Sequence, residues 1–149
     1  SHIALPDLER TTKTLTVAAW IKPNALNRSG IIFNQSGGLR SGLGFCQRNG
    51  GELGFTWRAL TKGNDNRCIS SGMKPNLNEW SFVALVVDGT QLVADSNGNL
   101  YGKADIYMRN AGDAVFQVWS GSGNANNRTE LPVNLEEPYV GRRYFVNHS

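Results

Sequence analysis

The sequence predicts an all-β protein, two antiparallel sheets packed as a jelly-roll sandwich, and three observations carry that expectation. Apolar residues recur with period 2, Gly, Asn, Asp and Pro clusters punctuate the chain at short intervals, and no window of about 11 residues sustains the i, i+3, i+4, i+7 spacing of an amphipathic helix. Many short strands divided by turns imply packed antiparallel sheets instead of alternating βα units.

Taken in order, Leu15, Val17, Ala19 and Ile21 alternate with Thr14, Thr16, Ala18 and Trp20, a strand that Pro23 ends. Gly30 to Asn34 reads as the second strand, Leu43 to Arg48 as the third and Glu52 to Arg58 as the fourth. Asn49-Gly50-Gly51 joins the last two as a hairpin, because Asn and Gly accept the positive φ of a tight turn. Arg67 to Ser71 reads as a short edge strand. Trp80 to Val87 is apolar on both faces, as in a central strand covered on both sides, and Asp88-Gly89 turns the chain after it. Ala104 to Arg109 and Ala114 to Trp119 are strands divided by the turn Asn110-Ala111-Gly112-Asp113, and Tyr139 to Gly141 is one more. Ser120 to Asn127, a Ser, Gly and Asn run, reads as a flexible surface loop.

At 149 residues the chain is expected to form a single domain over 1–149 with one hydrophobic core, in which Trp20, Phe55, Trp80, Phe82 and Leu85 are placed. Fifteen Lys and Arg against 12 Asp and Glu give a formal +3, but the basic residues form no run, so nucleic acid is not an expected partner. No apolar run approaches the ~20 residues of a membrane-spanning helix, and no membrane insertion is expected. Cys46 and Cys68 are too few for an all-cysteine zinc site, and His2 and His148 lack metal-motif spacing. A disulfide and two thiols both remain open. The bridge is preferred because the two cysteines lie in separate strands, and closing that loop stabilises by roughly 3 kcal/mol.

Three segments carry a resemblance: Leu15-Thr16-Val17-Ala18-Ala19-Trp20-Ile21-Lys22-Pro23, Gly51-Glu52-Leu53-Gly54-Phe55-Thr56-Trp57, and the run from Asn78-Glu79-Trp80 to Asp88-Gly89. In this order they resemble laminin G-like jelly rolls of the concanavalin A-like lectin and glucanase superfamily. Ala104 to Asn110 is similar to that family's strand carrying Leu-Tyr-x-Asn, and Pro138 to Arg143 to its Ile-Gly-Arg element. The resemblance implies an extracellular jelly roll, often appended to polysaccharide-degrading enzymes or adhesins, with Trp20 and Trp80 in its core. It also implies calcium, whose ligands it does not place here. A family strand resembling Phe-x-Gly-x-Ile-Asp-x-Val is expected after Arg143 and is not found before Ser149, so an unpaired sheet edge is expected there.

Catalysis is not expected. A glycosidase needs two carboxylates on one face flanking the bond cleaved. The superfamily's glucanases carry Glu-x-Asp-x-x-Glu on one strand; that segment is missing here, and adjacent Glu136 and Glu137 would point to opposite faces of a strand. There is no Gly-x-Ser-x-Gly elbow for a serine nucleophile. Asp95-Ser96-Asn97-Gly98-Asn99 spaces oxygen ligands as a calcium loop would, but its Gly is misplaced and Ile106 stands where the closing Glu belongs, so an Asx turn is the better reading.

A sugar site stacks an aromatic ring on the apolar face of a pyranose and surrounds it with polar donors and acceptors. Trp119, beside the Ser-Gly-Asn loop, is the preferred platform. Trp57 alternates with Leu53 and Phe55, which points to core, while Arg58 and the polar stretch Thr61 to Arg67 adjoin it; both readings stay open. Hydrogen bonds are expected from Arg58, Asn64, Asn124 and Asn126. The functional expectation is a non-catalytic, secreted or cell-surface carbohydrate-binding module of a larger protein, with a glycan or polysaccharide as partner. The alternative is a structural or adhesive module that binds a protein, or itself, through an open sheet edge.

Overall fold

Alternation along a strand sends one set of side chains to each face, and burying one set against a second sheet makes a sandwich. The computed structural model describes residues 3–4, 14–26, 29–33, 42–48, 50–58, 69–94, 100–122 and 139–140. Among them are strands β1 (Ile3–Ala4), β2 (Thr14–Ile21), β3 (Ser29–Phe33), β4 (Gly42–Gln47), β5 (Leu53–Arg58), β6 (Ile69–Ser70), β7 (Ser81–Ala94), β8 (Leu100–Asn110), β9 (Gln117–Ser122) and β10 (Tyr139–Val140), and no helix. They form a six-stranded sheet, β1-β10-β3-β4-β5-β6, and a four-stranded sheet, β2-β7-β8-β9. All pairings are antiparallel, as predicted.

The core lies between the sheets. Val17, Val83, Leu85, Val87, Ala104, Ile106 and Met108 come from the four-stranded sheet and meet Ile31, Phe45, Leu53 and Phe55 from the other. At the β9 side the indole of Trp119 reaches across to Phe55, ring centroids 5.9 Å apart. Gly121, two residues on and on the same face, leaves room for that ring: a Cβ there would collide with the indole.

Two of the five predicted core residues lie in the core. Phe55 and Leu85 are fully buried, but Trp20 is 63% exposed and Trp80 54% exposed, and Phe82 is only partly buried. Trp20 shares its parity with Thr14, Thr16 and Ala18, whereas Val17, Ala19 and Ile21 face the core, so alternation itself turns the indole outwards. Phe82 pairs with Trp20 and lies on the same outer face.

Turn chemistry holds at two sites and fails at one. Gly50 (φ 92°) and Gly51 (φ 88°) form the β4–β5 hairpin, closed by a bond from the Gly51 amide to the Arg48 carbonyl at 3.0 Å. Gly112 (φ 86°) sits in the turn after β8, and the Asp113 amide donates to the Asn110 carbonyl at 3.1 Å. Asp88-Gly89, in contrast, is not a turn: β7 continues to Ala94 through a register shift between Asp88 and Leu92. A bulge absorbs the local Gly that reads as a turn in isolation. The Thr90 hydroxyl and amide, with the Gln91 side chain, donate to the Asp88 carboxylate there and hold its pKa below the usual aspartate value.

Further boundaries are corrected. β9 begins at Gln117 instead of Ala114 and takes in Ser120, Gly121 and Ser122, which the sequence assigns to a loop. Pairing with Lys103, Ala104 and Asp105 supplies the backbone hydrogen bonds that a Ser-Gly run does not announce. β1, at two residues, is too short to show periodicity. It pairs with β10, whose other side pairs with β3, so Tyr139–Val140 is not an open edge. Cys46 is buried in β4 with its sulfur 3.4 Å from the Gly54 carbonyl oxygen, and Cys68 lies outside the described residues.

Three outcomes are expected. Phe55→Ala lowers stability by about 3 to 5 kcal/mol through cavity creation, whereas Trp20→Ala, losing mainly one edge-on ring contact, costs about 0.5 to 1.5 kcal/mol; urea unfolding compares them. The Asp88 carboxyl titrates below an ordinary aspartate by NMR, and Thr90→Val raises its midpoint. Because the folded value lies below the unfolded one, its contribution to stability is complete above the unfolded pKa and disappears as pH falls through the folded pKa. Peptide mapping without reduction joins Cys46 and Cys68 in one fragment; two separately alkylated thiols in oxidised material would overturn the bridge.

Candidate functional site

The outer face of the four-stranded sheet is built row by row from its register. Trp20 pairs with Phe82 and Phe82 with Arg109; one step along, Ala18, Ala84, Tyr107 and Val118 share a row. Thr16, Val86, Asp105 and Ser120 form the next row, and Thr14, Asp88 and Lys103 follow. Aromatic rings gather at one end. Trp20 and Phe82 meet edge to face, centroids 5.5 Å apart and planes at 69°, and Phe82 meets Phe116 the same way at 5.8 Å and 77°. The Arg109 guanidinium carbon lies 5.9 Å from the centre of the Phe116 ring.

A polar knot holds this end in place. Asn110 is buried, and its Oδ1 accepts from the Ser81 hydroxyl at 2.7 Å and from the Asn76 amide at 3.2 Å. The Asn110 amide donates to Asp113 Oδ2 at 3.0 Å, Arg109 Nε donates to the Asp113 carbonyl at 3.0 Å, and the Ala111 amide donates to the Trp80 carbonyl at 3.2 Å. These bonds fold residues 111–116 back so that Phe116 returns beside Phe82. Buried polar groups of this kind stay in place because each would lose a hydrogen bond by moving.

The other end of the face is polar. Asp105 is 8% exposed although its neighbours Ala104 and Ile106 occupy the core-facing positions. Its Oδ2 lies 3.2 Å from the Lys103 ammonium, and its Oδ1 has no hydrogen-bond partner among the described residues.

The structure brings together residues other than those expected from the sequence. Trp119 pairs with Ile106, a core position, and its ring turns inwards to Phe55, so it closes the sandwich instead of standing as a platform. The backbone of Trp57 and Arg58 lies in β5 opposite Leu43 and Gly42, and their side chains are outside the described residues. Asn64, Asn124, Asn126 and the Asp95 to Asn99 loop also lie outside them. Trp20, Phe82, Tyr107, Arg109, Phe116 and Asp105 were missed. The parity of Trp20 with Thr14 and Thr16 was the available signal; Phe116 had none, because it reaches the sheet through a turn.

Comparison with known proteins then assigns the family. The family model Laminin_G_3, described as concanavalin A-like lectin/glucanases superfamily, matches residues 1–140. The chain belongs to this family. It is a lectin-like module, and the two-sheet all-β architecture agrees with that membership. No curated protein and no solved structure matches the chain. Among the described residues no group of three or more His, Cys, Asp or Glu side chains converges. No helix among them is long and apolar enough to cross a membrane.

Proposed function

We propose that the protein is a non-catalytic carbohydrate-binding module, secreted or on the cell surface and part of a larger protein, that holds a glycan on the outer face of the β2-β7-β8-β9 sheet. The observation that carries this reading is the line of partly exposed rings Trp20, Phe82 and Phe116 with Arg109 against its end. Aromatic faces take the apolar C–H face of a pyranose, and a guanidinium beside them supplies donors for its hydroxyls.

Support for a non-catalytic role comes from the acids. The carboxylates on this face among the described residues are Asp88 and Asp105, and Asp88 is shifted down by the Thr90 hydroxyl. A glycosidase's general acid requires the opposite shift, so Asp88 does not suit that role. The other residues expected from the sequence, Trp57, Arg58, Asn64, Asn124 and Asn126, are kept as a proposed second surface for the same function, without Trp119, whose ring packs on Phe55. Calcium is retained as a proposal, tested by binding with and without chelator.

The second reading, a protein-binding or self-associating adhesive module, is favoured by exposed Val118 in β9 and exposed Val115 and Phe116 just before it, since β9 pairs only with β8 among the described residues. Size exclusion over a range of concentrations separates the two, since a glycan module elutes as a monomer throughout.

A glycan array is expected to find ligands of millimolar to micromolar affinity, about 4 to 8 kcal/mol, because shallow sites must replace many water contacts. Trp20→Ala and Phe116→Ala weaken that binding about tenfold or more, whereas Trp57→Ala leaves it unchanged. The reverse pattern moves the site to the second surface, and silence across plant, algal and animal glycans overturns the reading.

A further inference from the structure

The unmatched carboxylate oxygen on the outer face bears on what kind of glycan this surface takes, and the argument rests on the carbohydrate reading above. Asp105 alternates with core-facing Ala104 and Ile106, so its side chain projects to the outer face, yet it is nine-tenths buried there. One oxygen, Oδ2, is engaged by Lys103 at 3.2 Å, and the other, Oδ1, has no hydrogen-bond partner among the described residues. A buried acceptor in that condition is costly, and an apolar residue of similar size would avoid the cost. Such a group is tolerated where a ligand completes it.

The chemistry of the missing partner is narrow. A carboxylate oxygen accepts and does not donate, so the partner is a proton donor or a cation. The Lys103 ammonium beside it repels a metal ion, and among the described residues Asp105 belongs to no group of three or more His, Cys, Asp or Glu side chains. Its cross-strand neighbours are Val86 on β7 and Ser120 on β9, so a hydroxyl stands in its row on one side. A sugar hydroxyl fits.

Position sets the length of the ligand. Asp105 and Arg109 are four residues apart on β8, about 14 Å at roughly 3.4 Å per residue, with Tyr107 between them on the same face. A single sugar ring stacked at the aromatic end does not reach Asp105. The rings themselves set the form: planes inclined at 69° and 77° to Phe82 cannot all lie on one flat polysaccharide crystal face, whereas a single twisting chain can meet them in turn.

We propose that the ligand is a single, soluble polysaccharide chain lying along β7 and β8, stacked on Trp20, Phe82 and Phe116 at one end and read at the other by Asp105, whose Oδ1 accepts a hydroxyl proton. Oδ1 is shielded in the free protein, so reading requires the Lys103 ammonium, whose side chain is 36% exposed, to swing aside or the carboxylate to turn about its Cβ–Cγ bond.

Isothermal titration of the intact chain with cello-, xylo-, manno- and laminari-oligosaccharides, from monosaccharide to hexasaccharide, tests this. Affinity should rise with chain length, with monosaccharides silent and crystalline cellulose failing to pull the protein down. Asp105→Leu should weaken the hexasaccharide about ten- to hundredfold, the worth of a charge-assisted hydrogen bond, while its unfolding midpoint without ligand stays level or rises. A residue with a structural role would lower that midpoint instead. Asp105→Asn, which keeps size and polarity, should lose less than Asp105→Leu and guards against a folding defect. If the hexasaccharide binds and Trp20→Ala abolishes binding while Asp105→Leu binds like the unaltered chain, the assignment of Asp105 is overturned and the carbohydrate reading stands. Equal affinity for monosaccharide and hexasaccharide overturns the extended chain, and no binding by the unaltered protein to any sugar of the series overturns the proposal outright.

Discussion

Leu85, at the centre of β7, pairs with Val17 of β2 on one side and Ile106 of β8 on the other, and all three point into the space between the sheets. This apolar ladder sets the register of the four-stranded sheet. A slip of one residue would expose Leu85, Val83 and Val87 together and bury Asp88, so no neighbouring register competes. Once the inner face is fixed, the outer one follows: Phe82, Ala84, Val86 and Asp88 have nowhere else to point. The surface proposed for ligand binding is thus a consequence of packing on the opposite side of the same strands.

Packing alone does not assemble the aromatic line. Phe116 belongs to neither β8 nor β9, and it meets Phe82 because Asn110 and Asp113 fold the connecting turn back on itself. The same Asn110 side chain holds Ser81 and the backbone of Asn76, so one amide ties together the start of β7, the end of β8 and the segment before β7. Arg109 spans from the Asp113 carbonyl to the Phe116 ring. A buried polar knot at a sheet end is a rigid base for side chains that stand exposed beside it.

The family is a fold shared by binding modules and glucanases, so membership leaves function to the site. Here the proposed site divides into an aromatic end and a polar end on one sheet face. Asp105 sits badly for stability, since strand interiors favour β-branched and aromatic residues and a buried acceptor favours a donor. Ordinary optimisation of the sandwich would not retain it at that position. Its placement on the aromatic-bearing face joins the two ends into one surface.

Sequence alone determined the all-β class, the position of most strands and two of the turns, because alternation and Asn-Gly chemistry are local and act within a few residues. It also determined the family, since the runs through Trp20, Phe55 and Trp80 are contiguous. It misjudged which tryptophans are buried. Trp20 and Trp119 are both strand tryptophans preceded by an apolar residue, and the cross-strand partners distinguish them: Phe82 on the outer face for one, Ile106 and Phe55 in the core for the other. The bulge after Asp88 and the pairing of Ser120 to Ser122 likewise depend on β8, a neighbour that no short window contains. Burial is a property of pairs of sheets, and a site made from Trp20, Asp105, Arg109 and Phe116 exists only when residues distant in the chain are brought to one face.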